Sequence, residues 1–220
     1  MVARFSTVVL DVDSTLSGVE GIDWLAERRG AVTAAFVRQL TQRAMNGDVT
    51  LEDAYAERME LVAPTLADVH ALADCYRENV AMGARDSVIL LHRSDVRVVA
   101  ISGGLREAIL PLTRDLGIDD DDLHAVDVRF TERGEYLGYD RSSPLTTQQG
   151  KAVLLNGLAL SRPILAVGDG STDLAMKTGG AADQFAAFVG FVRREPVIAS
   201  ADGVLASFAE LAPFVMSSPS

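Results

Sequence analysis

Three short apolar runs in this sequence each end abruptly in a polar cluster, and this recurrence restricts the possible folds more than any other feature. Phe5–Leu10 stops at Asp11-Val12-Asp13-Ser14-Thr15, Val96–Ile101 at Ser102-Gly103-Gly104, and Pro163–Val167 at Gly168-Asp169-Gly170-Ser171-Thr172-Asp173. Short unbroken runs rich in β-branched residues read as strands buried on both faces, the condition of a parallel sheet covered by helices. Helical stretches are predicted between them, over about 105–116, 149–160 and from 171 onward, with further short strands near 184–189 and 203–205. Strands alternating with helices predict an α/β fold with a doubly wound parallel sheet. Ligands bind such sheets beyond the carboxyl ends of the strands, so three clusters far apart in sequence are expected to converge on one rim.

Residues 17–81 do not follow this alternation. Ile22, Leu25, Leu40, Ala44, Leu51, Ala54, Met59 and Leu61 recur at helical spacing, with a stop at Gly30 and a break at Pro64. The expected organisation is a core of 1–16 and 82–220, with a small helical cap of 17–81 inserted after the first strand. Val126–Phe130 and Tyr136–Tyr139, around Glu132-Arg133-Gly134, predict a hairpin insert over about 126–140. Asp119 to Asp122 reads as a solvated turn and helix cap.

Charge and cysteine usage narrow the partners. The formal net charge of −11 disfavours nucleic acid and anionic membranes, which require clustered Lys and Arg. Cys75 is the only cysteine, so no intramolecular disulfide forms; the first apolar run, cut by two aspartates, is neither a signal core nor a membrane span. A cytoplasmic protein that does not enter the membrane is expected.

The clusters themselves define a chemistry. Strand alternation puts Asp11 and Asp13 on one side, and two close carboxylates repel unless a cation lies between them. Hard oxygen donors of this kind suit magnesium. Gly103 and Gly104 leave the backbone bare beside Ser102, where amides at a helix N-terminus would hold a phosphate. Asp169 and Asp173 add two carboxylates to the same rim. Four carboxylates and a phosphate are not balanced by one divalent ion, which singles out Lys151 as a further positive charge.

DVDSTL, ISGG, the lysine of QQGKAVLL and GDGSTD resemble, in order and spacing, the four motifs of the haloacid dehalogenase superfamily of phosphatases, from about Val8 to Asp173. The likeness continues into the phosphoserine phosphatase branch of that superfamily. DVDSTLSGVEGIDWLA, TQRAMNGDVTLEDAYAERMELV, RGEYLGYD and DQFAAFVGFVRREPV all resemble its sequences, although Leu51 stands where a phenylalanine is frequent. The resemblance implies a capped doubly wound core and a cytoplasmic enzyme of serine biosynthesis, monomeric or homodimeric. It implies Mg2+-dependent hydrolysis of a small phosphomonoester, O-phospho-L-serine, through a phosphoaspartate on Asp11. Asp13 is then the acid and base, and the metal is held by Asp11, the Asp13 carbonyl and Asp169. Lys151, Ser102 and the Gly103 amide hold the phosphate, while Asp173 orients Lys151. Glu20, Met45, Arg58 and Thr172 complete the substrate site, with Arg58 on the carboxylate and Glu20 on the ammonium. Other readings are the same chemistry on another small phosphomonoester, phosphoryl transfer to an alcohol, and a phosphoaccepting receiver domain. The helical insert, Asp13 and the Gly168–Asp173 loop argue against the last.

Overall fold

The computed structural model describes residues 3–45 and 48–216, with Met45 described by its backbone alone. Strand β1 (Thr7–Leu10) is wholly buried, as its unbroken TVVL run requires. Four helices follow: α1 (Gly21–Arg28), α2 (Ala31–Met45), α3 (Leu51–Val62) and α4 (Leu66–Glu78). The chain continues through α5 (Ala84–His92), β2 (Arg97–Leu105), α6 (Arg106–Leu116) and β3 (Leu123–Val126), then a hairpin of β4 (Val128–Phe130) and β5 (Tyr136–Tyr139). The second half comprises α7 (Gly150–Gly157), β6 (Ile164–Gly168), α8 (Ser171–Thr178), β7 (Gln184–Phe188), α9 (Glu195–Ile198), β8 (Gly203–Leu205) and α10 (Leu211–Met216).

Six strands form one parallel sheet in the order β3-β2-β1-β6-β7-β8. The chain winds outward from β1 through β2 to β3, crosses back to β6 beside β1, and winds outward the other way. The direction reverses between β1 and β6, where sheets of this type open a crevice for ligands. Leu10 is in register with Val167, and the Asp11 amide donates to the Val167 carbonyl at 3.0 Å. The polar clusters after β1 and β6 therefore leave the sheet side by side.

The four helices after β1 are anchored at their ends. The Thr65 and Asp68 side chains form a capping box at the start of α4. Asp68 also accepts from Arg29 at 2.6 Å and Arg28 at 3.3 Å, tying α4 to the end of α1. Helix α4 packs along α6, while α1, α2 and α3 pack on one another. Ser17 Oγ donates to the Tyr76 and Asn79 carbonyls at 3.1 and 3.2 Å, joining the β1 exit to the end of α4.

Three local expectations are corrected. Strand β2 runs through Ser102-Gly103-Gly104 to Leu105, and the helix begins only at Arg106. The Gly103 and Gly104 amides thus belong to an irregular extended segment, not to a helix N-terminus. Pairing with β3 shifts register there, and Ser102 Oγ accepts from the Gly104 amide at 2.9 Å. The run read as one strand over 126–130 divides at Asp127: Leu123–Val126 joins the edge of the main sheet, and only Val128–Phe130 pairs with β5. The acidic run forms a 3₁₀ turn at Asp120–Asp122 that leads into β3 and caps no helix. Two of its carboxylates are held by Arg97 and Arg114.

Candidate active site

A cavity of about 180 Å³ opens at the β1/β6 switch point. It is smaller than the roughly 300–1,000 Å³ of sites for drug-sized ligands, so a compact polar ligand suits it. Asp11, Asp13, Glu20, Arg58, Ser102, Gly103, Lys151, Asp169, Thr172 and Asp173 all line it. Of the substrate residues expected from sequence, Met45 alone is not placed, because its side chain lies outside the described residues.

Lys151, in the first turn of α7, donates to Asp11 Oδ1 at 2.5 Å and to Asp173 Oδ1 at 2.6 Å. All three side chains are buried. Burial alone would favour a neutral amine, but Asp11 and Asp173 outweigh it and hold Lys151 firmly charged. Asp173 also accepts from the Gly170 amide at 2.9 Å, at the start of α8. Its carboxylate fits only because Gly168 is bare: a Cβ there would stand 2.2 Å from Asp173 Cγ.

Asp11, Asp169 and Asp173 bring carboxylate oxygens within 4.8 Å of one another. Burial, then repulsion from Asp173, pushes the Asp11 carboxyl well above its ordinary range despite Lys151. The same two causes push Asp169 up to about 7, although Arg194 opposes them. This is a buried excess of negative charge built from hard oxygen donors, and it fits a divalent cation such as magnesium.

Asp13 faces a different environment. It is absent from that cluster; its Oδ1 accepts from the Tyr76 hydroxyl at 2.5 Å and its Oδ2 from the Gly21 amide at 3.4 Å. Burial, then the nearby Glu20 charge, pushes Asp13 up to about 7. A carboxyl so placed holds a proton near neutrality and loses it readily, as an acid–base group must.

The opposite wall is supplied by the inserted helices. Arg58, on α3, reaches Asp23 at 3.5 Å, while its Nε is buried without a hydrogen-bond partner. Glu20 accepts from Ser14 Oγ at 2.7 Å and lies 3.8 Å from Arg194. Tyr55, also on α3, donates to the Gly103 carbonyl at 3.0 Å and packs edge-on against Tyr139 of the hairpin. Leu51 lines both this cavity and an adjoining one of about 460 Å³.

Sequence reasoning missed Tyr76 and Arg194. Arg194 follows β7 and contacts Asp169 at 2.8 Å. An isolated arginine beside Arg193 carries no motif that separates it from a surface charge. Tyr76 sits at helical spacing among core residues; the signal pointing to it was Gly21, whose missing side chain leaves room for its hydroxyl.

The family model for haloacid dehalogenase-like hydrolases matches residues 8–177. The chloroplastic phosphoserine phosphatase of Arabidopsis thaliana is 37% identical over 207 residues, spanning 93% of this chain and 70% of the plant protein. The phosphoserine phosphatase of Homo sapiens is 34% identical, over 93% of this chain and 90% of the human protein. A phosphoserine phosphohydrolase-like protein from Francisella tularensis superposes with a TM-score of 0.85 at 25% identity, covering 96% of this chain and all of that one (100%). The chain belongs to the haloacid dehalogenase-like hydrolase family. Among the described residues, no helix is long and apolar enough to cross a membrane.

Proposed function

We propose that this chain is a magnesium-dependent phosphatase that hydrolyses O-phospho-L-serine through a phosphoaspartate on Asp11. The observation that carries this reading is the pairing, in one small cavity, of a carboxylate held by a buried lysine with a second carboxyl poised near neutrality. The names of the relatives support the substrate.

Asp11 attacks phosphorus from the carboxyl end of β1, and one hard displacement becomes two easier ones. As the phosphorus–oxygen bond to the leaving group breaks, Asp13 gives that oxygen its proton. Asp13 then takes a proton from the water that attacks the phosphoaspartate, and the Asp11 carboxylate is released. Lys151, Ser102 and the Gly103 amide hold the phosphate oxygens, with Thr172 at the rim. Asp11, the Asp13 carbonyl and Asp169 would hold the metal, and Asp173 keeps Lys151 in place. When bound, the ion supplies positive charge that lets an anionic phosphate approach an anionic nucleophile.

Arg58 binds the substrate carboxylate; its unpartnered Nε has a donor to spare, and a guanidinium forks onto a carboxylate as no lysine does. Glu20 accepts from the ammonium group. The block 17–81 acts as the cap, with α4 fixed against α6 and α1 and α3 covering the pocket. The protein is cytoplasmic on this reading and acts as a monomer or homodimer.

The test is a phosphate-release screen over phosphoserine, phosphothreonine, other phosphomonoesters and an aryl phosphate, with magnesium and with excess chelator. Repeated turnover preferring phosphoserine and lost in chelator is expected. Release stopping near one equivalent would indicate a phosphoaccepting switch, and preference for another ester would reject the assigned substrate.

A further inference from the structure

The mechanism leaves one buried polar group beside the acid–base carboxyl unused. Tyr76 is fully buried near the end of α4 and does not line the cavity, yet its hydroxyl meets Asp13 Oδ1 at 2.5 Å. Two separate segments make room for it. A Cβ on Gly21 would stand 2.2 Å from the Tyr76 hydroxyl, and one on Gly104 would stand 3.3 Å from it. The backbone beneath is fixed as well: Ser17 Oγ donates to the Tyr76 carbonyl, and Ser17 bridges both Asp13 and Val80. The exit of β1 and the end of α4 are therefore held together on both sides of this contact.

We propose that Tyr76 is a positioning residue for the acid–base step, fixing the Asp13 carboxyl from behind so that the proton is presented to the leaving oxygen. This rests on the assignment of Asp13 as general acid. With Oδ1 accepting from Tyr76 at 2.5 Å and Oδ2 meeting only the Gly21 amide, at 3.4 Å, Oδ2 is the oxygen that carries the transferable proton. When the phosphorus–oxygen bond breaks, its electron pair stays on the leaving oxygen, which takes that proton, and Asp13 becomes a carboxylate. The Tyr76 hydroxyl remains its donor, and a hydrogen bond to a charged acceptor is stronger than to a neutral one. The contact thus favours the transition state over the ground state, which is the condition for raising rate and not merely binding.

The test is kcat/KM for Tyr76→Phe on aryl phosphates spanning a wide range of leaving-group acidity, alongside phosphoserine. Good leaving groups need no proton, so a misplaced acid slows only the poor ones. Tyr76→Phe should lower phosphoserine hydrolysis by roughly ten- to hundredfold, the scale of one hydrogen bond to a charged group. The most acidic phenol should lose little, and inhibition by inorganic phosphate should not change. Gly21→Ala, which crowds out the hydroxyl while keeping the tyrosine, should give the same leaving-group bias if the phenylalanine variant fails to fold. Asp13→Asn on the same series separates the two ideas. If Asp13→Asn shows no leaving-group bias, the general-acid assignment fails. If it shows the bias but the Tyr76 and Gly21 variants lose all substrates equally, or lose none, Tyr76 is a packing residue and the proposal is overturned.

Discussion

Lys151 keeps its charge where burial alone would remove it, because two buried carboxylates flank it at 2.5 and 2.6 Å. Removing one member of such a group leaves the others uncompensated, at a cost of about 3–5 kcal/mol. Lys151→Met should therefore abolish phosphate release and also lower the unfolding free energy by that amount. Urea titrations of parent and variant measure the deficit. Asp11→Asn keeps the shape and the lysine's other partner, so its circular dichroism should match the parent while turnover disappears. Arg58→Ala should reduce kcat/KM for phosphoserine roughly ten- to hundredfold more than for an aryl phosphate. An equal loss on both substrates would make Arg58 a structural residue. Asp11 and Ser102 stood out in the sequence because each ends an apolar run in a polar cluster, and Lys151 because the carboxylates of those clusters need a further positive charge. Tyr76 did not, since its one polar atom lies at a core position and the bare Gly21 that makes room for it gains meaning only once α4 is packed.

At the scale of elements, Asp68 joins two helices by serving both. It caps α4 and accepts from Arg28 and Arg29 at the end of α1. Partial burial works against its charge, but the hydrogen bonds from Arg29 and Thr65 overcome this and hold the carboxyl well below its usual range. A depressed carboxyl stabilises the fold above its unfolded pKa of about 3.9, and that stability is lost as pH falls through the lower folded value. Asp68→Asn should thus destabilise the protein by about 1–3 kcal/mol at neutral pH. Parent and variant should converge in strong acid, as chemical-denaturation midpoints across pH would record. The central strands were readable because TVVL and ILAVG are unbroken apolar runs buried on both faces. Strand β3 was not, because LHAV is short, half-covered at an edge and directly preceded by a turn of four aspartates. The continuation of β2 through two glycines was hidden for another reason: glycine is depleted in strands and common in turns, so the pair reads as the strand's end.

For the whole molecule, the buried carboxylates at the switch point set the response to pH and metal. Asp13 and Asp169, both pushed up to about 7, favour folding when protonated. Their contribution is complete below the unfolded carboxyl pKa of about 3.9 and is lost as pH rises through about 7. The metal-free protein should therefore lose stability across that interval, and magnesium should restore it near neutrality. At a hundredfold excess over Kd the ion adds about 2.7 kcal/mol. For a chain of this size each kcal/mol moves Tm by about 2–4 °C, so calorimetry should show a rise of roughly 5–10 °C that Asp169→Asn removes. The reversal of winding between β1 and β6 has a temporal consequence too. Asp11 and Lys151 are 140 positions apart, and their contact exists only once β6 has docked beside β1. During synthesis the nucleophile leaves the ribosome 140 positions ahead of its lysine and waits without it. Recovery of activity in refolding should accordingly lag the burial of β1, making catalysis a late clock for closure of the sheet.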